Sequence, residues 1–228
     1  MPFQCSRILD RAATTLLDKT KVRWKADELF EHLLAGLTWI VNKKPSANSV
    51  FGVVSLEPGV RQAISQPING HRPVQLLKVH RNMGADGDTP GAPITLVERT
   101  MMDRLVLDWP TVTDTAVEHY LFDDREPLAF EVYPAAANFP WHVAVTVGAV
   151  PPDPADANST FPLGDAYEQV MYDFVMSQAL LKNSKSGNKA QGMTYLALAA
   201  DALGARLKTE VLRAPRDPDR AGATGEDR

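Results

Sequence analysis

Apolar residues recur at three- and four-residue spacing near both ends of the chain, while the middle breaks into short β-branched and aromatic runs. Over residues 6–18, Ile8, Leu9, Ala12, Ala13, Leu16 and Leu17 share one face of an expected helix, with Ser6 as its N-cap. A second helix is expected over 26–42. Leu29, Leu33, Leu37 and Ile40 form its stripe, widened by Phe30, Leu34 and Val41. Asp27 and Glu28 in its first turn and Lys43 and Lys44 at its end suit the helix dipole, and Pro45 stops it. The short connection between these helices predicts antiparallel neighbours. A third helix is expected over 163–182, with Leu163, Tyr167, Val170, Met171, Phe174 and Leu181 on one face. After a turn at 183–187, a fourth is expected over 188–211. It groups Met193, Leu196, Ala197, Ala200, Leu203 and Leu207, with Gly204 loosening it near the end.

Between the helix pairs, 46–73 reads as a loop region scattered with Gly, Pro, Ser and Asn. Strands are expected over 74–82, 94–99, 117–122, 128–133 and 142–150, bounded by Gly, Pro and Asp turns. Residues 83–93, with three glycines, read as a long hairpin loop, and 151–161 as a Pro/Asp linker. Short strands so closely spaced predict a small antiparallel sandwich, and the whole an α+β chain. Residues 214–228 have almost no apolar content and cannot build a core alone.

At 228 residues the chain is long enough to bury a real apolar core. The net charge of −4 gives no support to general nucleic-acid binding, which needs a basic surface to neutralise phosphates. The longest apolar stretch, 141–150, is half the ~20 residues a membrane span needs. Residues 1–5 carry no basic stretch followed by an apolar block, so synthesis in a reducing cytosol without export is expected. Cys5 is the one cysteine, which excludes an internal disulfide and a cysteine-based zinc site.

Candidate chemistry is sparse. Gly84, Gly87 and Gly91 lie between two expected strands, whereas a phosphate loop lies between a strand and a helix N-terminus. Asp86 and Asp88 have the spacing of a calcium loop without the rest of its ligands. No two of His32, His71, His80, His119 and His142 stand four residues apart, and no HExxH occurs. His80, His119 and His142 fall in strands and are expected to point outward or bond locally. Neither a nucleophile elbow nor a Walker motif is present. Asn158-Ser159-Thr160 matches a glycosylation sequon, which has no meaning without secretion. No catalytic residue, cofactor or metal is assigned, and a non-enzymatic assembly subunit is the expectation. Lys19, Lys21, Arg23 and Lys25 alternate through the first connector. They are candidate contacts for an acidic partner or nucleic acid, weighed against a merely solvated loop. Trp24 among them reads as a staple on the helix pair.

An ordered set of short strings carries a resemblance. Ile8-Leu9-Asp10-Arg11-Ala12, Val22-Arg23-Trp24, Glu28-Leu29, Ile40-Val41-Asn42 and Pro45-Ser46-Ala47-Asn48 come first. Gln75-Leu76-Leu77-Lys78-Val79, Arg81-Asn82-Met83-Gly84, Arg99 and Leu107-Asp108-Trp109 follow. Then come His119-Tyr120-Leu121-Phe122-Asp123, Phe130-Glu131-Val132-Tyr133-Pro134 and a helix pair with Tyr172, Ala179-Leu180, Lys182 and Leu203-Gly204. From residue 7 to about 208 the chain resembles the head–tail adaptor (head-to-tail connector) proteins of tailed phages, of the tail tubular protein A kind. One departure is Lys25, where the family often has the Ser or Thr of a capping box with Glu28. That cap is lost or moved to Asp27, at a cost of about 1 kcal/mol.

The resemblance implies a helical bundle built from both helix pairs (1–48 and 160–212), an inserted β-sandwich-like part (49–159) and a flexible tail (213–228). It also implies a ring of twelve copies beneath the portal protein, joined to the tail tube or nozzle, with DNA passing through its centre without specific binding. The location implied is the virion neck, after assembly in the host cytoplasm, with no membrane partner. The tail, through Arg213, Arg216, Asp217, Asp219 and Arg220, is the expected portal contact. Loops without partners also fit a monomer that closes into a ring only on the portal. The alternative is a DNA-binding packaging accessory protein acting through the basic connector, and a virion hydrolase is a distant third.

Overall fold

The computed structural model describes residues 3–137, 141–182 and 186–213, without the side chains of 186, 187 and 207–213. Among these residues are five α-helices and two β-sheets. Helix α1 spans Cys5–Thr15 and α2 Ala26–Lys43. Strands β1 (Ser49–Leu56), β2 (Gly59–Ala63), β3 (Arg72–Asn82) and β4 (Thr95–Leu96) follow. Then come α3 (Arg99–Leu105), β5 (Thr113–Asp114), β6 (His119–Phe122), β7 (Ala129–Ala136) and β8 (Trp141–Val150). Helices α4 (Glu168–Leu181) and α5 (Ser186–Arg213) end the described chain.

Helices from both ends of the chain share one core. Its centre is α4, whose residues 170–177, 179 and 180 are buried, because its side chains are apolar nearly all round the helix, Asp173 and Ser177 being the polar ones among them. Helices α1 and α2 touch each other, as the short connection leads one to expect, but both rest mainly on α4. Ile8, Leu9, Leu29, Leu33, Leu37 and Met171 fill this cluster, each worth about 1.5–3 kcal/mol when fully buried. At Gly36 a Cβ would meet the Met171 sulfur at 2.5 Å, so glycine is what lets α2 approach α4.

Several boundaries move. Helix α1 begins after Gln4, so Ser6 lies inside it and is not the N-cap. It ends at Thr15, and Leu17 has left the helix with φ 57° and stands almost fully exposed instead of sharing the apolar face. The face that α5 turns to α4 holds Gly192, Tyr195, Ala199, Ala202 and Leu203, while Leu196 is half-buried and Met193, Ala197 and Ala200 are exposed. The expected stripe is rotated from this face because Met193 draws it off the small residues that allow close helix contact. Residues 186–187, expected in a turn, already belong to α5, and 183–185 lie outside the described residues.

In one sheet the order is β1-β8-β3, all antiparallel. The other runs β2-β7-β6-β4, with β5 also on β7. Here β4 pairs β6 and β5 pairs β7 in parallel, so the expectation of a purely antiparallel arrangement is corrected. Leu76, Val79, Val143, Val145 and Val147 from the first sheet meet Tyr120, Phe130 and Val132 from the second in one cluster. Residues 46–73 are not a loop: they hold most of a short 3-10 helix (Pro45–Asn48), then β1 and β2. Strand β1 is hidden in the sequence because apolar residues point to both faces, and β2 because its buried residue is Gln62. That amide makes its own turn, accepting from Glu57 N–H at 2.7 Å and donating to the Glu57 and Gly59 carbonyls. The strand expected over 94–99 shrinks to β4, since Arg99 opens α3, where Met102 packs on Trp109 and Leu121.

Candidate functional site

Between α1 and α2 the basic connector folds into a built corner. Past Thr15 the chain turns through Leu17, whose N–H donates to the Thr14 carbonyl at 3.1 Å, and Asp18, whose N–H donates to Ala13 at 2.9 Å. The Asp18 carboxylate then collects three backbone donors: Val22 N–H at 3.0 Å, Arg23 at 2.8 Å and Trp24 at 2.9 Å. Trp24 is buried and its indole N–H donates to the Ala179 carbonyl at 2.9 Å, nailing the corner to α4. The sequence predicts a staple on the pair of α1 and α2; the hydrogen bond that fixes Trp24 goes instead to α4. Lys25 is the N-cap of α2 with no side-chain capping bond.

The corner displays a particular surface. Leu17 and Val22 are 93% and 77% exposed. Both Leu17 and Lys21 hold left-handed backbone, a conformation costly for side chains of their kind. Lys21 is tied to Asp10 at 2.8 Å and the Arg23 guanidinium lies 4.8 Å from the Trp24 ring, while Lys19 and Lys25 are exposed. Two exposed apolar side chains, Leu17 and Val22, thus share this hydrogen-bonded connector with its basic residues.

Its backbone donors, Trp24 foremost, hold the Asp18 carboxyl below the ordinary carboxylate range. A pKa depressed by folding stabilises the corner above about pH 4, and that contribution is lost as pH falls through the folded value. The Val22, Arg23 and Trp24 amides should therefore exchange slowly with deuterium at pH 5 and above. Asp18→Ala should speed that exchange at least about tenfold.

Of the predicted tail contact, Arg213 is the last residue of α5, its side chain outside the described residues, as are Arg216, Asp217, Asp219 and Arg220. Lys19, Lys21, Arg23 and Lys25 do fall together on the corner. Missed from sequence were the exposure of Leu17 and Val22 and the role of Asp18; the signal was an Asp just past a helix end, four to six residues before the amides it holds. A second exposed apolar group, Leu96, Met101, Leu105 and Leu107, surrounds α3.

Other side chains are engaged structurally. A cleft of about 690 Å³ on the second sheet is lined by Arg61, Arg99, Asp123, Asp124, Glu126 and Glu131. Arg61 binds Glu126 through both carboxylate oxygens and Arg99 pairs with Glu131, so its walls are cross-braced. His80 contacts Thr146 at 2.7 Å, His119 contacts Thr95, and His142 lies 3.3 Å from the Gly84 carbonyl. Asp86 accepts from Asp88 and Thr89 and so closes its own turn in the 83–93 loop. Burial pushes the Cys5 thiol up to about 11, which keeps it protonated and inert near neutrality. Burial also raises the pKa of Asp173, which accepts from the Gln169 amide at 2.8 Å. Among the described residues no three His, Cys, Asp or Glu side chains form a metal-binding group, and no helix is long and apolar enough to cross a membrane.

No curated protein matches the chain. The family model described as SU10 adaptor protein matches residues 4–223, nearly its whole length and wider than the span of the ordered strings. The helical core, its stapled connector and the two sheets all lie inside that match. The chain therefore belongs to the SU10 adaptor protein family, a family of phage head–tail adaptors.

Proposed function

We propose that this chain is a structural virion protein whose copies, twelve in number, form a ring joining the portal to the tail tube or nozzle while DNA passes through the centre. The observation that carries it is the adaptor-family match over residues 4–223. In this reading the helices of 1–48 and 160–212 form a bundle that is the body of the ring. The two sheets of 49–159 are a sandwich-like insertion turned to the outside or toward the tail, and 213–228, opening on the last residue of α5, is the polar arm. Many copies let each contact be weak and the assembly strong. The chain acts without catalysis or cofactor, in the virion neck after assembly in the host cytoplasm.

The arm is the proposed portal contact, through Arg213, Arg216, Asp217, Asp219 and Arg220, because its sequence is rich in charge and too poor in apolar residues to build a core of its own. Removing residues 214–228 should weaken co-sedimentation with purified portal at least about tenfold, and unchanged binding would sink the arm's role. Negative-stain imaging of the full chain mixed with portal tests the ring itself; a portal left bare argues against the whole reading.

The basic connector favours a protein partner over DNA. Lys21 is spent on Asp10, Arg23 lies on Trp24, and Leu17 and Val22 of the same connector are exposed. Apolar projections gain by entering another protein's recess and gain nothing from phosphates. A DNA-binding packaging accessory would instead bind duplex DNA with steep salt dependence, so a salt titration separates the two.

A further inference from the structure

Strand β1 ends its sheet, bonded to β8 on one side only. Its eight residues pair with β8 without a register shift and include no charge and no proline. The opposite edge, β3, is guarded: its register shifts three times, and Arg72, Pro73, Lys78 and Arg81 lie along it. Bulges, charges and proline are how natural sheets keep an edge from pairing with another chain. β1 has none of these devices. Among the described residues its main-chain bonds run to β8, and the Asn69 amide, donating to the Phe51 carbonyl at 3.0 Å, is the side-chain contact a new strand would have to displace. On its outer face Phe51 and Val53 are 57% and 39% exposed.

The occupant is written in the strand. Ser49-Val50-Phe51-Gly52-Val53-Val54-Ser55 reads nearly the same in both directions about Gly52. Laid antiparallel on a second copy with Gly52 on the two-fold axis, each serine faces a serine and Val50 faces Val54. Each Phe51 faces Val53 of the other copy, and an aromatic opposite a β-branched residue is a favourable cross-strand pair. Such a contact is self-complementary, as a two-fold interface must be.

We infer that β1 is a homodimer interface, through which two copies join their three-stranded sheets into one continuous six-stranded sheet. A two-fold contact closes on itself and cannot propagate round a ring. The dimer is therefore a state of the unassembled chain, hiding an edge that would otherwise template aggregation. Only this placement before assembly rests on the ring reading; the interface does not.

The register makes a specific test. Phe51→Lys and Val53→Glu each put charges into the pair and should weaken the dimer at least about tenfold by light scattering and analytical ultracentrifugation. Both positions face solvent in the single chain, so each variant should fold, as circular dichroism would check. The double variant sets the introduced lysine of each copy opposite the introduced glutamate of the other. It should recover the dimer to within about threefold of the unaltered chain. A monomeric unaltered chain at tens of micromolar, singles that dimerise normally, or a double no better than the singles would each overturn the inference. So would β1 amides protected from exchange only after portal is added, which would give the edge to a partner's strand. Ring formation on portal is scored separately by imaging, so the two readings fail independently.

Discussion

Replacing Asn82 by alanine should cost about 4 kcal/mol of folding stability in urea or guanidinium titrations, although Asn82 is one polar residue in an apolar cluster. Its side chain is buried at the end of β3 and spends its hydrogen bonds on β8 of its own sheet and on two loop segments, one of them leading into β6 of the other sheet. The carbonyl oxygen accepts from Val117 N–H at 3.0 Å and from the Trp141 indole at 2.9 Å. The amide donates to the Val117 carbonyl at 2.7 Å and the Ala92 carbonyl at 3.2 Å. One carboxamide thus joins the end of β3, the start of β8, the closing arm of the 83–93 loop and the chain entering β6. Alanine would leave Ala92 its bond from the Asn82 backbone at 3.0 Å, but strip both Val117 groups and the Trp141 N–H. A buried polar group without a partner costs about 1–3 kcal/mol, and Trp141, half-buried, recovers part of its share from water. Asn82→Asp should do no better, because a carboxylate cannot donate to Val117 or Ala92. A loss under about 1 kcal/mol for alanine would mean that the two sheets do not depend on this clamp.

Gly148→Ala should be nearly as damaging, at about 3 kcal/mol, for the opposite reason: it adds an atom where none fits. A Cβ there would lie 2.4 Å from the Pro45 Cβ, 2.6 Å from its carbonyl oxygen and 2.8 Å from its carbonyl carbon. Two of those atoms are backbone, held in the 3-10 helix that follows α2, so no rotamer change relieves the clash. Gly148 sits in the central strand of its sheet, opposite Ser49 on one side and Gln75 on the other. The overlap must therefore push the helical body away from the sheet or bend β8. Gly204→Ala is the control: nothing lies within 4 Å of a Cβ there, and an exposed helical glycine should gain up to about 1 kcal/mol on becoming alanine. Equal effects at the two glycines, read as midpoint shifts at constant denaturant slope, would refute the steric account.

These two substitutions also show where sequence reading reaches its limit. An asparagine at the end of a β-branched run looks like a turn residue, and a glycine among valines looks like slack. What makes each of them matter is a group 35 or more positions away in the chain. Asp18 is the intermediate case, since its partners are four to six residues on and a helix end announces the motif. The corner was legible as a basic loop with a tryptophan staple. Its rigidity, and the exposure of Leu17 and Val22, were not, because Leu17 continues the apolar spacing of α1 and only the turn at Thr15 takes it out of the helix.

Local pattern was enough to locate α1, α2, α4 and α5 and the strands β3, β6, β7 and β8, because each commits one face to a core and repeats that commitment several times. The order of short motifs was enough to reach the adaptor family. Tertiary structure alone decided the rest. It made α4 the hub, since a helix apolar on all sides does not say which neighbour takes which side. It made strands of β1 and β2, whose apolar residues point both ways or not at all, and turned Arg99 from a strand end into a helix start. It left β1 at an open edge, a property that belongs to the neighbours a strand has and never to the strand's own residues.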